Sequence, residues 1–185
     1  MNRNSPPASP GGPKTPEILA CFSSQLGWMA MIGSGTLLKQ LTIGHPTPRD
    51  AEAGLDAQLL EGSRPGDWNE ELVHKLTAYA AGEIVDFAGV ELDLERLSDF
   101  QRRVVGACRE IPYGRTRSYG QLAAAAGSPN AARAVGNCMA ANHFPLIVPC
   151  HRVLLADGRL GAFSAPGGTA FKQRLLALEA SHAIE

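Results

Sequence analysis

Residues 118–141 read SYGQLAAAAGSPNAARAVGNCMAA, and this stretch decides the architecture of the second half of the chain. Ser118 followed by Gln121 is a capping-box pattern, in which a hydroxyl and an amide each satisfy an otherwise unpaired N–H at a helix start. It opens a short Ala-rich helix that ends at Gly127. Ser128-Pro129 then supplies an N-cap and a proline at the first helical position, which predicts a second helix to about Ala141. Two short helices across a tight turn form a helix-turn-helix. In the second helix the 3.6-residue period puts Arg133, Gly136, Asn137 and Ala140 on one face and Ala132, Val135 and Met139 on another. The first face carries almost no side-chain bulk apart from its arginine. That fits close backbone approach to a narrow minor groove better than base-edge reading in a major groove. It equally fits two helices packed tightly together.

Working outward, Ser98 with Gln101 repeats the capping box, and Phe100, Val104 and Cys108 mark the buried stripe of a helix stopped by Ile111-Pro112. Towards the N-terminus, apolar stretches at Ile18 to Phe22, Leu26 to Ile32 and Thr36 to Ile43 predict short strands joined by tight turns. Arg49 to Glu61 reads as a helix before the Ser63-Arg64-Pro65-Gly66 breaker. Asp67 with Glu70 resembles a third capping box, followed by the helical stripe Leu72, Leu76, Tyr79. Ala81 to Leu97 is an acidic connector without periodicity. These readings give an α+β chain: a disordered Pro/Gly-rich tail over residues 1–16, an N-terminal unit over 17–95 and a C-terminal unit over 96–185.

Composition is consistent with this. The 185 residues, 44% hydrophobic and 19% charged, can bury a real core, which excludes global disorder. No run approaches the roughly 18 apolar residues that span a bilayer, and Met1 to Pro16 lacks the apolar centre of a signal peptide. A soluble, cytoplasmic protein is expected, nuclear if the source is a eukaryote, with no membrane partner. Four cysteines without metal-ligand spacing are read as free thiols. The net charge of −1 conceals an asymmetry: residues 1–99 carry −7 and residues 100–185 carry +6. The basic half suits an anionic partner such as nucleic acid, and two halves of opposite sign also simply attract. Arg102, Arg103, Arg109, Arg115 and Arg117 form a basic surround for the helix-turn-helix.

The run from Pro145 to Val153 ends an apolar stretch with Pro149-Cys150-His151-Arg152. The thiolate is the nucleophilic form of cysteine, and a thiol needs a proton acceptor or nearby cation to reach it at neutral pH. Adjacent residues of an extended segment point to opposite faces, so Cys150 and His151 can cooperate only through a turn or a bridging water. The last helix, about Gly168 to Ala180, buries Phe171, Leu175 and Leu178 and carries Glu179 at the stripe's edge. A carboxylate there needs a partner. If that partner is His151, Glu179 holds the imidazole and raises its proton affinity; a solvated Glu179 fits the spacing equally well.

Pro149-Cys150-His151-Arg152-Val153, preceded by Ala132 to Gly136, by Ile111-Pro112-Tyr113-Gly114 and by Ser118-Tyr119-Gly120, resembles the O6-alkylguanine-DNA alkyltransferases, the methylated-DNA–protein cysteine methyltransferases. The resemblance is specific from Phe100 to Glu179 and weak over 17–95. It implies a ribonuclease-H-like N-terminal α/β domain followed by a helical, winged helix-turn-helix-like DNA-binding and active-site domain. Cys150 would accept the alkyl group, His151 take its proton through a water, Glu179 orient His151 and Asn142 brace the active-site turn. Arg133 would fill the space of an extruded nucleotide, and Tyr119 would help rotate that nucleotide and donate a proton as guanine leaves. Ser118, Gly136 and Asn137 would face the DNA. Met139 and Phe163 would line the base pocket, with backbone groups at Val153 and Ser164 reading guanine edges.

The implied activity is direct, single-turnover repair of O6-alkylguanine in flipped-out nucleotides, with O4-alkylthymine as a second candidate substrate. The implied protein is a monomer that meets alkylated double-stranded DNA from the minor groove and uses no cofactor. The chain departs from the family pattern at Val105, where a Trp is common, and at Cys138, where a small residue is usual. Cys21, His45 and His74 do not make the N-terminal zinc site of some members, and no metal is expected. Two other readings remain: a non-catalytic binder of alkylated DNA, whose known examples lack the acceptor cysteine, and a cysteine hydrolase.

Overall fold

A computed structural model describes residues 15–181. Most of the tail expected over 1–16, and residues 182–185, lie outside the described residues. Three antiparallel strands, β1 (Glu17–Ser24), β2 (Gly27–Ser34) and β3 (Leu37–His45), form a meander, and β4 (Ser63–Pro65) pairs parallel to β1, giving the order β3-β2-β1-β4. β2 is central and reads as a continuous apolar run because both its faces are covered. Met29 and Met31 point into the main core, whereas Ala30 and Ile32 meet Leu19, Ala51 and Leu55 in a second cluster.

The helix expected over 49–61 is two helices, α1 (Pro48–Ala53) and α2 (Ala57–Gly62). Asp56 breaks it, since its carboxylate accepts from the N–H groups of Gln58 and Leu59 and so starts a new helix. The Ser63–Pro65 breaker is an edge strand, a position that tolerates proline. α3 (Glu70–Ala80) is capped by Asn69, at φ 51° and accepting from Leu72 N, and not by Asp67. Leu72, Leu76 and Tyr79 are its buried stripe, as the periodicity predicts. The connector after α3 also covers the β3 edge: Leu38 N–H donates to Glu91 O, and Asp93 N–H donates to Leu38 O.

α4 (Asp99–Arg109) and α5 (Tyr119–Ala125) both begin with complete capping boxes, at Ser98/Gln101 and Ser118/Gln121. α6 (Ala132–Ala140) begins three residues later than Ser128-Pro129 predicts. Ser128 is already engaged in ending α5: its N–H reaches Ala123 O while Gly127, at φ 73°, bonds Ala124 O, a Schellman closure. A 3-10 turn at Cys150–Arg152 leads into β6 (Val153–Leu154), which pairs parallel to β5 (Arg117–Ser118), and α7 (Gly168–Ala180) closes the described chain.

One core cluster runs through both halves, from Met29 and Leu76 to Val135 and Leu175. Gly44 of β3, at φ 77°, lies flat against the Phe171 ring; a Cβ there would stand 2.6 Å from the ring. The molecule is thus α+β, with α7 packed against the sheet. No helix among the described residues is long and apolar enough to cross a membrane.

Candidate active site

The site is assembled on the segment 142–152. Leu146 holds φ 70°, an uncommon conformation for a residue with a side chain, and its side chain is buried, so packing holds the kink in place. Pro149 (φ −78°, ψ 64°) then forms an inverse γ-turn closed by Cys150 N–H to Val148 O at 2.8 Å. Arg152 N–H to Pro149 O, 2.9 Å, closes the 3-10 turn. Cys150 and His151 therefore sit on a turn and not on a strand, which removes the obstacle that extended geometry posed. Asn142 ties the turn together: Nδ2 donates to Val148 O (2.9 Å) and to Cys150 Sγ (3.1 Å), while Oδ1 accepts from Phe144 N.

His151 is fully buried, and its Nε2 lies 2.8 Å from Glu179 Oε1. Glu179 is 1% exposed, which excludes a solvated carboxylate. It accepts from Arg152 Nη2 at 2.8 Å, from Arg152 Nε on both oxygens, from Tyr79 Oη at 2.7 Å and from Gly114 N at 3.0 Å. Arg152 also donates to Ile111 O at 2.7 Å and lies 5.7 Å from the Tyr113 ring centre. The Ile111–Gly114 and Cys150–Arg152 blocks, distant in sequence, thus meet around one carboxylate.

Burial pushes the Glu179 carboxyl up, yet hydrogen bonds from His151 and Arg152 overcome it and hold the group down at about 2. Burial lowers the His151 imidazole against the opposing pull of Glu179. Burial raises the Cys150 thiol, opposed by the Asn142 hydrogen bond and the Lys172 charge. Lys172 is a component the sequence reading missed. It is fully buried, with Nζ donating to Val153 O (2.5 Å) and Cys150 O (3.5 Å) and lying 5.9 Å from the Tyr119 ring centre. No carboxylate among the described residues pairs with it. Its signal was available, because 172, 175 and 179 share one helical face. Tyr79 was read only as core and is the second omission.

Tyr119 opens α5, with its hydroxyl against Gly161, where a Cβ would stand 2.7 Å from it, and its ring edge 4.0 Å from the Cβ position of Gly136. The Ser118 hydroxyl is committed to the α5 cap. Arg133, Asn137 and Ala140 are exposed on the outer face of α6, while Val135 and Met139 are buried on its inner face. Of the expected pocket residues, Phe163 stacks on Phe171 (centroids 6.3 Å apart) and shares with Ser164, Ala140 and Asn142 a cavity of about 380 Å³. Met139 and Val153 do not line that cavity, and one acceptor site of Val153 O is taken by Lys172.

Three arginines of the basic surround also hold backbone carbonyls. Arg109 donates to Phe87, Ala88 and Val90 carbonyls, Arg102 to Leu94 and Glu95, and Arg103 to Ala126. These three fasten the connector and the end of α5; Arg102 and Arg103 stay exposed, as do Arg115 and Arg133, whereas Arg109 and Arg117 are half-buried.

Residues 99–181 match the family model described as 6-O-methylguanine DNA methyltransferase, DNA binding domain. The chain is 49% identical over 148 residues to a methylated-DNA–protein-cysteine methyltransferase of Mycolicibacterium paratuberculosis, covering 77% of this chain and 87% of that one. It is 42% identical over 164 residues to the protein of the same name from Mycobacterium bovis, covering 88% and 92%. Among solved structures it is similar to a crystal structure of Mycobacterium tuberculosis OGT in complex with DNA. There the TM-score is 0.75 and the identity 38%, over 89% of this chain and 93% of that one.

Proposed function

The chain belongs to the methylated-DNA–protein-cysteine methyltransferase family, and from that premise we propose how its own residues carry out the reaction. It repairs alkylated DNA by moving the alkyl group directly onto itself. Cys150 Sγ is the acceptor, and the observation that carries this assignment is its setting. Asn142 bonds the sulfur at the head of a turn whose next residue, His151, is tied to a buried, ionised Glu179. The thiol proton passes to His151 Nδ1, through a water in the family's manner. The thiolate attacks the carbon on O6, so a C–S bond forms as the C–O6 bond breaks, and guanine leaves after gaining a proton from Tyr119. A neutral thioether is a very poor leaving group, so each molecule acts once.

The O6 alkyl carbon is out of reach inside a stacked duplex, so the nucleotide must be extruded at a cost of a few kcal/mol. The exposed face of α6, with Gly136 and Asn137, would enter the minor groove, where Arg133 fills the gap. Phe163 and Ser164, which share a cavity with Asn142, would receive the base. The strand order β3-β2-β1-β4, with three antiparallel strands and a parallel fourth, supports a ribonuclease-H-like N-terminal domain over 17–95. The α5–α6 pair beside the β5–β6 ribbon supports a winged helix-turn-helix-like domain over 96–185. We take the protein to act as a monomer in the compartment that holds the DNA, the cytoplasm of a cell without a nucleus.

The test is an oligonucleotide duplex carrying radiolabelled O6-methylguanine. Label on protein should plateau near one equivalent, on the peptide containing Cys150, and vanish in Cys150→Ala. Label that stays on DNA identifies a binder, and turnover beyond one equivalent a hydrolase. Arg133→Ala should slow repair of the duplex far more than reaction with the free base, since only the duplex requires extrusion; equal losses would reject the wedge role.

A further inference from the structure

The hydroxyl of Tyr79 comes from α3, in the N-terminal half, yet lies 2.7 Å from Glu179 Oε1 and 3.3 Å from His151 Nε2. Resting on the alkyl-transfer reading above, we propose that Tyr79 is a positioning residue of that reaction: its hydroxyl shares Glu179 Oε1 with His151, so the N-terminal half sets how readily His151 takes the Cys150 proton.

Donor and acceptor counting supports this. An ionised carboxylate only accepts, so the single phenolic proton goes to Glu179. His151 Nε2 then faces two acceptors, Oε1 at 2.8 Å and the phenol oxygen, and must carry a hydrogen. That fixes the imidazole as the Nε2–H tautomer and leaves Nδ1 as the basic nitrogen. Nδ1 is also the one buried side-chain N or O atom among the described residues with no hydrogen-bond partner. The Oε1 atom receives four contacts, from Tyr79, His151 and both Nη2 and Nε of Arg152. Each donor spreads the carboxylate charge, so the phenol weakens the pull of Glu179 on the His151 proton.

The geometry is rigid. Tyr79 is fully buried, with its ring 6.0 Å from both Phe87 and Tyr113. Burial and the neighbouring carboxylate raise its own proton affinity, so the hydroxyl stays a donor. The other groups acting on His151 are Glu179 and Lys172 of α7 and, in its own turn, Arg152. Tyr79 is the contribution from the N-terminal half.

The experiment uses the full chain and the O6-methylguanine duplex, with single-turnover label transfer measured from about pH 4.5 to about pH 9. Tyr79→Phe keeps the ring and removes the hydroxyl. The acid limb, set by protonation of His151, should move up by about one pH unit while the plateau rate stays within about twofold. Placing 3-fluorotyrosine at position 79 alone gives a stronger donor, so the limb should move down. This second variant decides the matter if Tyr79→Phe does not fold. A rate lowered equally at every pH, or a limb unmoved in both variants, would overturn the proposal and leave the alkyl-transfer reading standing. Wild-type protein that takes no label on Cys150 would take both down.

Discussion

At the scale of single residues, Lys172 carries a burial cost that no counter-charge among the described residues offsets. A fully buried ammonium without a carboxylate partner is destabilising, and two backbone carbonyls offset only part of its lost hydration. Burial lowers its proton affinity, while Cys150 acts to raise it. The reciprocal effect falls on the sulfur, where Lys172 opposes the rise that burial imposes. Lys172→Met keeps the length of the side chain and removes the charge. Alkyl transfer at neutral pH should then slow about tenfold, with the alkaline rise of the rate displaced upward by about one unit. Unfolding in urea should show stability unchanged or increased, because an apolar replacement of similar volume relieves the burial cost. Slower chemistry in a protein that is no less stable separates an electrostatic role from a structural one.

At the scale of elements, the active site depends on where helices start. Ser118 caps α5 and thereby fixes Tyr119 at the helix head, wedged between Gly136 and Gly161. Ser118→Ala should cost about 1 kcal/mol and lower Tm by about 2–4 °C in a thermal melt. Transfer should slow as well, through displacement of Tyr119. Both capping boxes were legible in the sequence because every group in them lies within three residues of its partner. The start of α6 was not, although Ser128-Pro129 satisfies the local rule. The Ser128 carbonyl instead accepts from Ala131 N–H, so Pro129 and Asn130 form a tight turn and the helix starts only after it. The single helix expected over 49–61 failed for a related reason. Ala51 and Leu55 do share one buried cluster, but a helical reading is blind to Asp56 folding its side chain back on the chain. Lys172 could have been found by extending the face of Leu175 and Glu179 back by one turn.

At the scale of the whole molecule, one carboxylate joins parts that no local pattern relates. Tyr79 and Glu179 are 100 positions apart, and Gly114 and Glu179 are 65 apart. The proposed chemistry of Cys150 and His151 starts from residue types, and the partner of Glu179 could be posed as a question. The contribution of α3 could not, since a tyrosine on a buried stripe is ordinary core. This convergence makes stability depend on pH in a definite sense. The folded-state values of Glu179 and His151 both lie below their ordinary values of 4.5 and 6.5. Each therefore binds more protons when unfolded, so its contribution is present above the ordinary value and is lost as pH falls towards the folded one. Stability should begin to decline below about pH 6.5 as unfolded His151 gains its proton, and fall further from about pH 4.5 towards pH 2 as Glu179 protonates. The Glu179 part is on the order of 3 kcal/mol. Protonation there weakens the ties of α3, of the turn after α4, of the Cys150 turn and of α7 together, so the acid transition should be one cooperative step by fluorescence and by far-UV dichroism. Glu179→Gln should be less stable at neutral pH by about 3–5 kcal/mol, since Arg152 is left buried without its counter-charge. Below about pH 4.5 its stability should fall less steeply than wild type, because the titrating group is gone. Parallel slopes for the two proteins in that range would show that acid sensitivity arises elsewhere.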